Sequence, residues 1–397
     1  MKIVLISQEY PPETANGGIA TEIYIRAHGL AGLGHKVTVV SHSLDENKHI
    51  YMDKAVHVIR IPGFDDRMPI YNDAVRWLTY SMEVAVTLKE LQSNEHPDLF
   101  VFPEWGAEGY VHLLNKSDTG HIPSLVHIHG PLVMFADTMN WPAKDSEFYH
   151  VGTHMEGTAI RLADALSASN KCSADWCREH YNLGNIDIPV LFSGIDTNLF
   201  YPRDVKKSSN PAIIFVGSIR RNKGIDLLVD AVCMVAKDHP GIRIDILGRG
   251  ERSFIDELNK KSIDAGFPDL LKFHGQIGRD ELPIHLSKAH LLAAPSVYEG
   301  GPGNVCLEAM ACGIPVIATS GSGMEGIVDS GKNGILIEPG NLHQLADAIQ
   351  KLLSDENLRA VLGKNAREFV LREADSRICL QKLEEYYLSV AGTKTTG

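Results

Sequence analysis

The chain has 397 residues, a net charge of −12, and 44% apolar against 22% charged residues. That length passes the roughly 250–300 residues at which single cores stop growing, so two domains are expected, and the apolar share excludes a largely disordered chain. The acidic balance excludes wholesale nucleic-acid binding, which needs a basic face, and no apolar run approaches the roughly 20 residues that cross a bilayer. The opening IVLIS is too short for a signal peptide, and the six cysteines lack the paired spacing of a zinc site. Reduced thiols and a cytoplasmic location, with at most loose membrane contact, are the expectation.

In chain order, short β-branched runs alternate with amphipathic stretches, as in βα units around parallel sheets, so the fold class is α/β. Strands are predicted at Lys2–Ser7, Lys36–Ser41, Val56–Ile61, Leu99–Phe102, Leu125–Ile128 and Ala165–Ala168. The polar segment YPRDVKKSSNP, residues 201–211, breaks the pattern as linkers do. Beyond it, strands are predicted at Ala212–Ser218, Ile242–Leu247, Leu270–His274, Leu291–Ala294, Pro315–Thr319 and Ile335–Glu338. An N-terminal domain of residues 1–200 and a C-terminal domain of residues 201–374 follow, with a last helical stretch, residues 375–397, expected to complete the first.

Three segments carry chemistry. The turn PPETANGGIA places Gly17 and Gly18 just before a helical pattern, where backbone N–H groups and the positive helix end attract phosphate oxygens. An ordinary tight turn is the competing reading. After AIIFVGS, Arg220, Arg221 and Lys223 crowd a strand-to-helix loop, a mutually repelling set unless an anion or solvent compensates it. In PSVYEGGPGNVCLEAMACGIPVIATS, Glu299 follows a strand, a glycine-rich loop runs from Gly300 to Gly303, and Glu308 lies in the next helix. Such a loop can hold a diphosphate or sugar hydroxyl, and a helical carboxylate can accept two hydrogen bonds from a ribose diol.

That last segment resembles the signature of the family 4 retaining glycosyltransferases, which have the GT-B fold of two Rossmann-like domains facing across a cleft. NGGIA, the IHG around His129, SGIDTNLFYP, VGSIRRNKG, LGRGER and FHGQI fall in the family's order along nearly the whole chain. The resemblance implies a retaining, metal-independent hexosyltransferase. Its donor would be a nucleotide diphosphate sugar, UDP-linked in first expectation, carrying a hexose of glucose, N-acetylglucosamine or mannose type. Glu308 would bind the donor ribose, Lys223 the diphosphate, and the backbone near Ile277 the base. Gly17 and Gly18 would face the diphosphate, Glu299 the donor sugar, and His129 would contact that sugar and assist the reacting centre. Gly303, Asn304 and Val305 complete the donor set. Eight residues separate Glu299 from Glu308 where the family usually has seven, so the glycine-rich loop must bulge. Ser218 stands where the family tends to place a phosphate-binding arginine, and Arg220 or Arg221, with Arg221 slightly favoured, would supply that charge.

Glu104 in FPEWGAEGY ends a strand and is expected on the acceptor side, a solvated loop carboxylate being the alternative; loops 64–71 and 105–110 should shape that site. His127 and His129 share a strand face as metal ligands might, but no third ligand is suggested nearby and no Asp-x-Asp exists, so no metal is expected. GIVDSGKN falls short of a P-loop because Asn333 replaces the magnesium-binding hydroxyl, and the Gly248-Arg249-Gly250 turn falls short of a dinucleotide fingerprint. No cofactor is expected beyond the donor co-substrate. The acceptor, whether small molecule, glycan or lipid-linked, is unidentified, though the acidic balance favours a soluble one. A sugar-nucleotide epimerase of the same fold and a non-catalytic sugar-nucleotide-binding protein are the alternatives.

Overall fold

A computed structural model describes residues 1–14, 18–45, 47–63, 73–116, 121–297, 301 and 303–392. Its residues divide into two compact units, Met1–Ser193 with Cys379–Gly397, and Gly194–Ile378.

The first unit is built on a seven-stranded sheet. Its strands are β1 (Lys2–Ile6), β2 (Lys36–His42), β3 (His49–Asp53), β4 (Val56–Ile61), β5 (Leu99–Pro103), β6 (Ser124–Ile128) and β7 (Ala165–Ala168), in spatial order β3-β4-β2-β1-β5-β6-β7. All pairings are parallel except β3 with β4. The central strands are apolar on both faces because helices cover both, the reason parallel strands read as continuous Val/Ile/Leu runs. Those helices are α1 (Gly18–Gly32), α2 (Asp73–Glu95), α3 (Tyr110–Leu114), α4 (Leu132–Met139), α5 (Glu147–Leu162) and α6 (Lys171–His180).

The second unit has six parallel strands: β8 (Ala212–Val216), β9 (Arg243–Leu247), β10 (Leu271–Gly275), β11 (Leu291–Ala294), β12 (Val316–Thr319) and β13 (Ile335–Ile337), in order β10-β9-β8-β11-β12-β13. Around it lie α7 (Ile225–Val235), α8 (Arg252–Asp264), α9 (Leu282–Lys288), α10 (Asn304–Ala311), α11 (Leu342–Ser354) and α12 (Glu356–Phe369). Ile213, Phe215, Val229, Ile244, Ile317 and Ile349 are among its buried core, each such residue contributing about 1.5–3 kcal/mol.

The last helix, α13 (Ser376–Gly392), packs Leu383, Tyr387 and Val390 against the β1–α1 face of the first sheet. Tyr386 donates to Leu166 O at 2.7 Å and Glu384 meets His35 at 2.7 Å.

All twelve expected strands are present; β3 was not expected. HIYMD forms an edge strand whose Ile50 and Met52 are each 60% exposed, and its hairpin turns through Lys54 at φ 54° without the glycine or asparagine that usually marks such a turn.

Near the middle of each sheet the strand order reverses direction, at β1/β5 and at β8/β11. Ligands of open parallel sheets gather outside the carboxyl ends at such points, which is where the chemistry-bearing segments begin.

Candidate functional site

In the first unit, β5 and β6 end side by side and deliver Glu104 and His129 to the same place. Glu104 is fully buried: Oε1 accepts the backbone N–H groups of His129 at 2.7 Å and Gly130 at 2.5 Å, and Oε2 lies 3.1 Å from His129 Nδ1. On the other side of the ring, Glu22 Oε2 from α1 lies 3.2 Å from His129 Nε2. Burial opposes charge on this imidazole, but Glu22 and Glu104 outweigh it and raise its pKa to about 9. His129 is therefore an imidazolium at neutral pH.

Glu22 also pairs with buried Arg26 one helical turn on, and Arg26 Nη2 reaches His127 Nε2 at 2.8 Å and Leu191 O at 2.9 Å. A guanidinium only donates, so His127 Nε2 accepts and its Nδ1–H donates to Ser167 Oγ at 2.8 Å. Burial and the Arg26 charge drive the His127 pKa down to about 3, leaving it neutral. Burial disfavours the Glu22 carboxylate, yet Arg26 and the histidines hold its pKa well below the usual range.

The expectation that no third ligand approaches the two histidines is corrected. Ligand atoms of Glu22, His127 and His129 lie within 4.8 Å of one another. Arg26 stands among them, its guanidinium on the His127 acceptor nitrogen that a metal would take.

Gly18 opens α1, exposed, while Glu9 Oε2 accepts the N–H of Ala20 at 3.3 Å, so a carboxylate already caps that turn. Gly17 and loop 64–71 lie outside the described residues.

In the second unit, Arg221–Lys223 form a single 3₁₀ turn between β8 and α7, closed by Gly224 at φ 68°. A Cβ at Gly224 would lie 2.0 Å from Pro295 O, so only glycine lets this turn press against the end of β11. Val297 N–H donates to Asn222 O at 2.9 Å, fastening the basic turn to the segment that leads into the glycine-rich loop. Lys223 is half-buried there, whereas Ser218 and Arg220 are exposed. Arg221, the favoured cation from sequence, is engaged at the surface: Glu257 of α8 grips it at 2.7 and 2.8 Å, Asp226 lies at 3.4 Å, and its guanidinium covers the Phe254 ring. The structure thus assigns Arg221 to a surface ion pair and leaves Arg220 the more available.

Glu299 and Gly300 lie outside the described residues. Past them, Gly303 precedes α10, so no side chain caps the helix; Asn304 is exposed and Val305 half-buried. Glu308 faces inward at 7% exposure, and burial lifts its carboxyl to about pKa 7 against the pull of Arg279, whose Nη2 lies 3.4 Å from Oε1. Arg279 stands two residues past Ile277, half-buried after β10, and also covers Phe200 at 5.5 Å.

Sequence reading missed Glu22, Arg26 and Arg279. A charged pair four apart on an otherwise apolar helix, IATEIYIRA, is the signal that marks the first two. Arg279 carries no such mark, being one cation in an exposed polar loop.

Residues 16–199 match the family model described as Glycosyltransferase Family 4, and residues 200–369 match that described as Glycosyl transferases group 1. A glycogen synthase of Mycobacterium tuberculosis is 25% identical over 98% of this chain and 95% of its own length. Among solved structures, sucrose-phosphate synthase from Thermosynechococcus elongatus superposes with a TM-score of 0.82 at 22% identity, covering 99% of this chain and all of that one. HepE from Anabaena, solved in complex with UDP-glucose, gives a TM-score of 0.70 at 21% identity over 98% of this chain and all of HepE. These neighbours share the GT-B fold.

Proposed function

Because the chain belongs to the family 4 glycosyltransferases, we propose that it transfers a hexose from a nucleotide diphosphate donor, UDP-linked, to a hydroxyl acceptor, retaining the anomeric configuration and using no metal ion. The observation that carries this reading is Glu308, a buried carboxylate on the helix that follows the glycine-rich segment, poised to accept the two hydroxyls of a ribose. The UDP-glucose complex of HepE supports the choice of nucleotide.

In the second unit, Glu308 holds the ribose diol, the backbone near Ile277 receives the base, and Lys223 with Arg220 meets the diphosphate beside the uncapped start of α10 at Gly303, Asn304 and Val305. Departure of the nucleoside diphosphate leaves negative charge on the β-phosphate, and fixed cations at that point lower the barrier without reorganisation. The family resemblance assigns Glu299 to the sugar. For the first unit, the family resemblance assigns Gly17 and Gly18 to the diphosphate. His129, held as an imidazolium by Glu104 and Glu22, orients the donor sugar rather than attacking it. Glu104 acts as a positioning group. Arg26 supports metal independence, since a metal among Glu22, His127 and His129 would have to displace it.

Incubation with candidate donors, with and without acceptor mixtures, tests the reading. Nucleoside diphosphate release that depends on acceptor is expected. An altered sugar still joined to its nucleotide would point to an epimerase, and donor binding without turnover to a binding protein; either replaces the proposal.

A further inference from the structure

The second unit contains a cavity of about 470 Å³ formed by the 202–207 segment, Ser287, the turn Cys312–Ile314 after α10, and α12 with the turn that follows it. It lies at the C-terminal end of α10, whereas Gly303, Asn304 and Val305 lie at the other end of that eight-residue helix, about 12 Å away; Glu308 sits one turn before Cys312, but its side chain meets Arg279 and does not line the cavity. Arg203, Lys207, Lys364 and Arg367 line it against a single carboxylate, Glu368, in a chain whose net charge is −12.

These cations are held mainly by neutral groups. Arg367 donates to Ala311 O, Lys207 Nζ to Ala289 O at 2.5 Å, and Arg203 Nη2 to Leu199 O at 3.0 Å, with the Arg203 guanidinium 3.8 Å from the Tyr201 ring centre. Carbonyl oxygens satisfy N–H groups but do not cancel charge. The carboxylate contact is loose, with Lys364 Nζ 3.8 Å from Glu368. Arg203 Nε is buried with no hydrogen-bond partner among the described residues. Burial, with the nearby Arg359 charge, pushes the Lys207 ammonium down to about pKa 8, and His290 is lowered by burial and the same two cations.

The walls are fixed in place. A Cβ on Gly363 would lie 2.2 Å from Gly313 O, so α12 meets the turn after α10 backbone to backbone. Clustered cations that repel one another are stabilised by an anion, and a cavity of this size falls within the roughly 300–1,000 Å³ of small-molecule sites, more than bare phosphate fills.

We propose that this cavity is a second anion site, separate from the diphosphate site, that binds a phosphate monoester of sugar size. Its phosphate lies among Lys207, Lys364, Arg203 and Arg367, and its remaining volume takes the sugar.

Calorimetric titration of the full chain at constant ionic strength tests this, using inorganic phosphate, a hexose monophosphate and the unphosphorylated hexose. The hexose monophosphate should bind more tightly than phosphate, and the hexose should not bind. Lys207→Gln combined with Lys364→Gln should weaken the hexose monophosphate about tenfold or more, and arginine at both positions should restore it. Thermal denaturation of each variant reports its fold. Lys223→Ala should leave this binding intact, which separates it from the proposed donor site. No binding by the unaltered chain, equal affinity for phosphate and hexose monophosphate, or binding lost in Lys223→Ala but kept in the double variant would each overturn the proposal.

Discussion

Glu104 uses both carboxylate oxygens on one strand end, Oε2 3.1 Å from His129 Nδ1 and Oε1 on the N–H groups of His129 and Gly130. With Glu22 at 3.2 Å on the opposite nitrogen, the ring is clamped and charged. Replacing Glu22 with glutamine removes the larger of the two charges that raise His129, so its titration midpoint should fall from about 9 by about a unit or more. Imidazole ¹⁵N chemical shifts across a pH series measure this. Because the folded pKa lies above the ordinary 6.5, the stability from this clamp is fully present below that pH and is lost as pH rises through about 9. Denaturant midpoints of the Glu22→Gln chain should accordingly depend less on pH over that window.

Glu308→Ala should weaken nucleoside diphosphate binding on the order of a hundredfold with the fold intact, as two charge-assisted hydrogen bonds to a ribose are lost. Calorimetric titration beside a circular dichroism melt decides it. Unchanged affinity in a folded variant removes the basis of the donor assignment.

Burial lifts the Glu308 carboxyl to about 7, and the ionised form accepts two hydroxyl hydrogen bonds more strongly than the protonated one. Affinity for UDP-glucose, whose diphosphate diester does not titrate near this range, should therefore fall as pH drops below about 7 and level off above it. Glu308→Gln should flatten the profile. The same slope in that variant would assign the titration to another group.

Lys223 stands in the turn that Gly224 lets press against β11, beside the segment leading into the glycine-rich loop. If it meets charge that grows as the donor bond breaks, Lys223→Ala should lower kcat on the order of a hundredfold while changing donor dissociation less. Lys223→Arg should recover part of the rate. Near-normal turnover in Lys223→Ala would shift the leaving-group role to Arg220.

Transfer should survive a chelator, because Arg26 holds the place among Glu22, His127 and His129 that a cation would take. Rates measured with EDTA, and with added magnesium or manganese, should agree. Complete loss restored by metal would count against Arg26 as the resident cation.

Twelve strands were legible in the sequence because they rest on a local rule, apolar runs buried on both faces, and the loops proposed to meet the donor were picked out by glycine before a helix and a cation after a strand. β3 was not, since an edge strand with its apolar side chains exposed shows no buried periodicity and its turn lacks glycine. Partner choice was decided by tertiary structure alone. Glu22 lies over a hundred positions from His127 and His129, and only the docking of α1 beside β6 makes the three one charged network with Arg26. Arg221 and Arg220 are neighbours that the sequence barely separates, Arg221 slightly favoured, until α8 brings Glu257, 36 residues away, onto Arg221. Glu308 could be named from its motif, but its raised pKa comes from the packing that buries it, against the opposing pull of Arg279, which a separate loop supplies. Local sequence determines which backbone groups are presented at a strand end, whereas a side chain's charge state depends on desolvation and on neighbours that only the folded chain brings within a few ångströms.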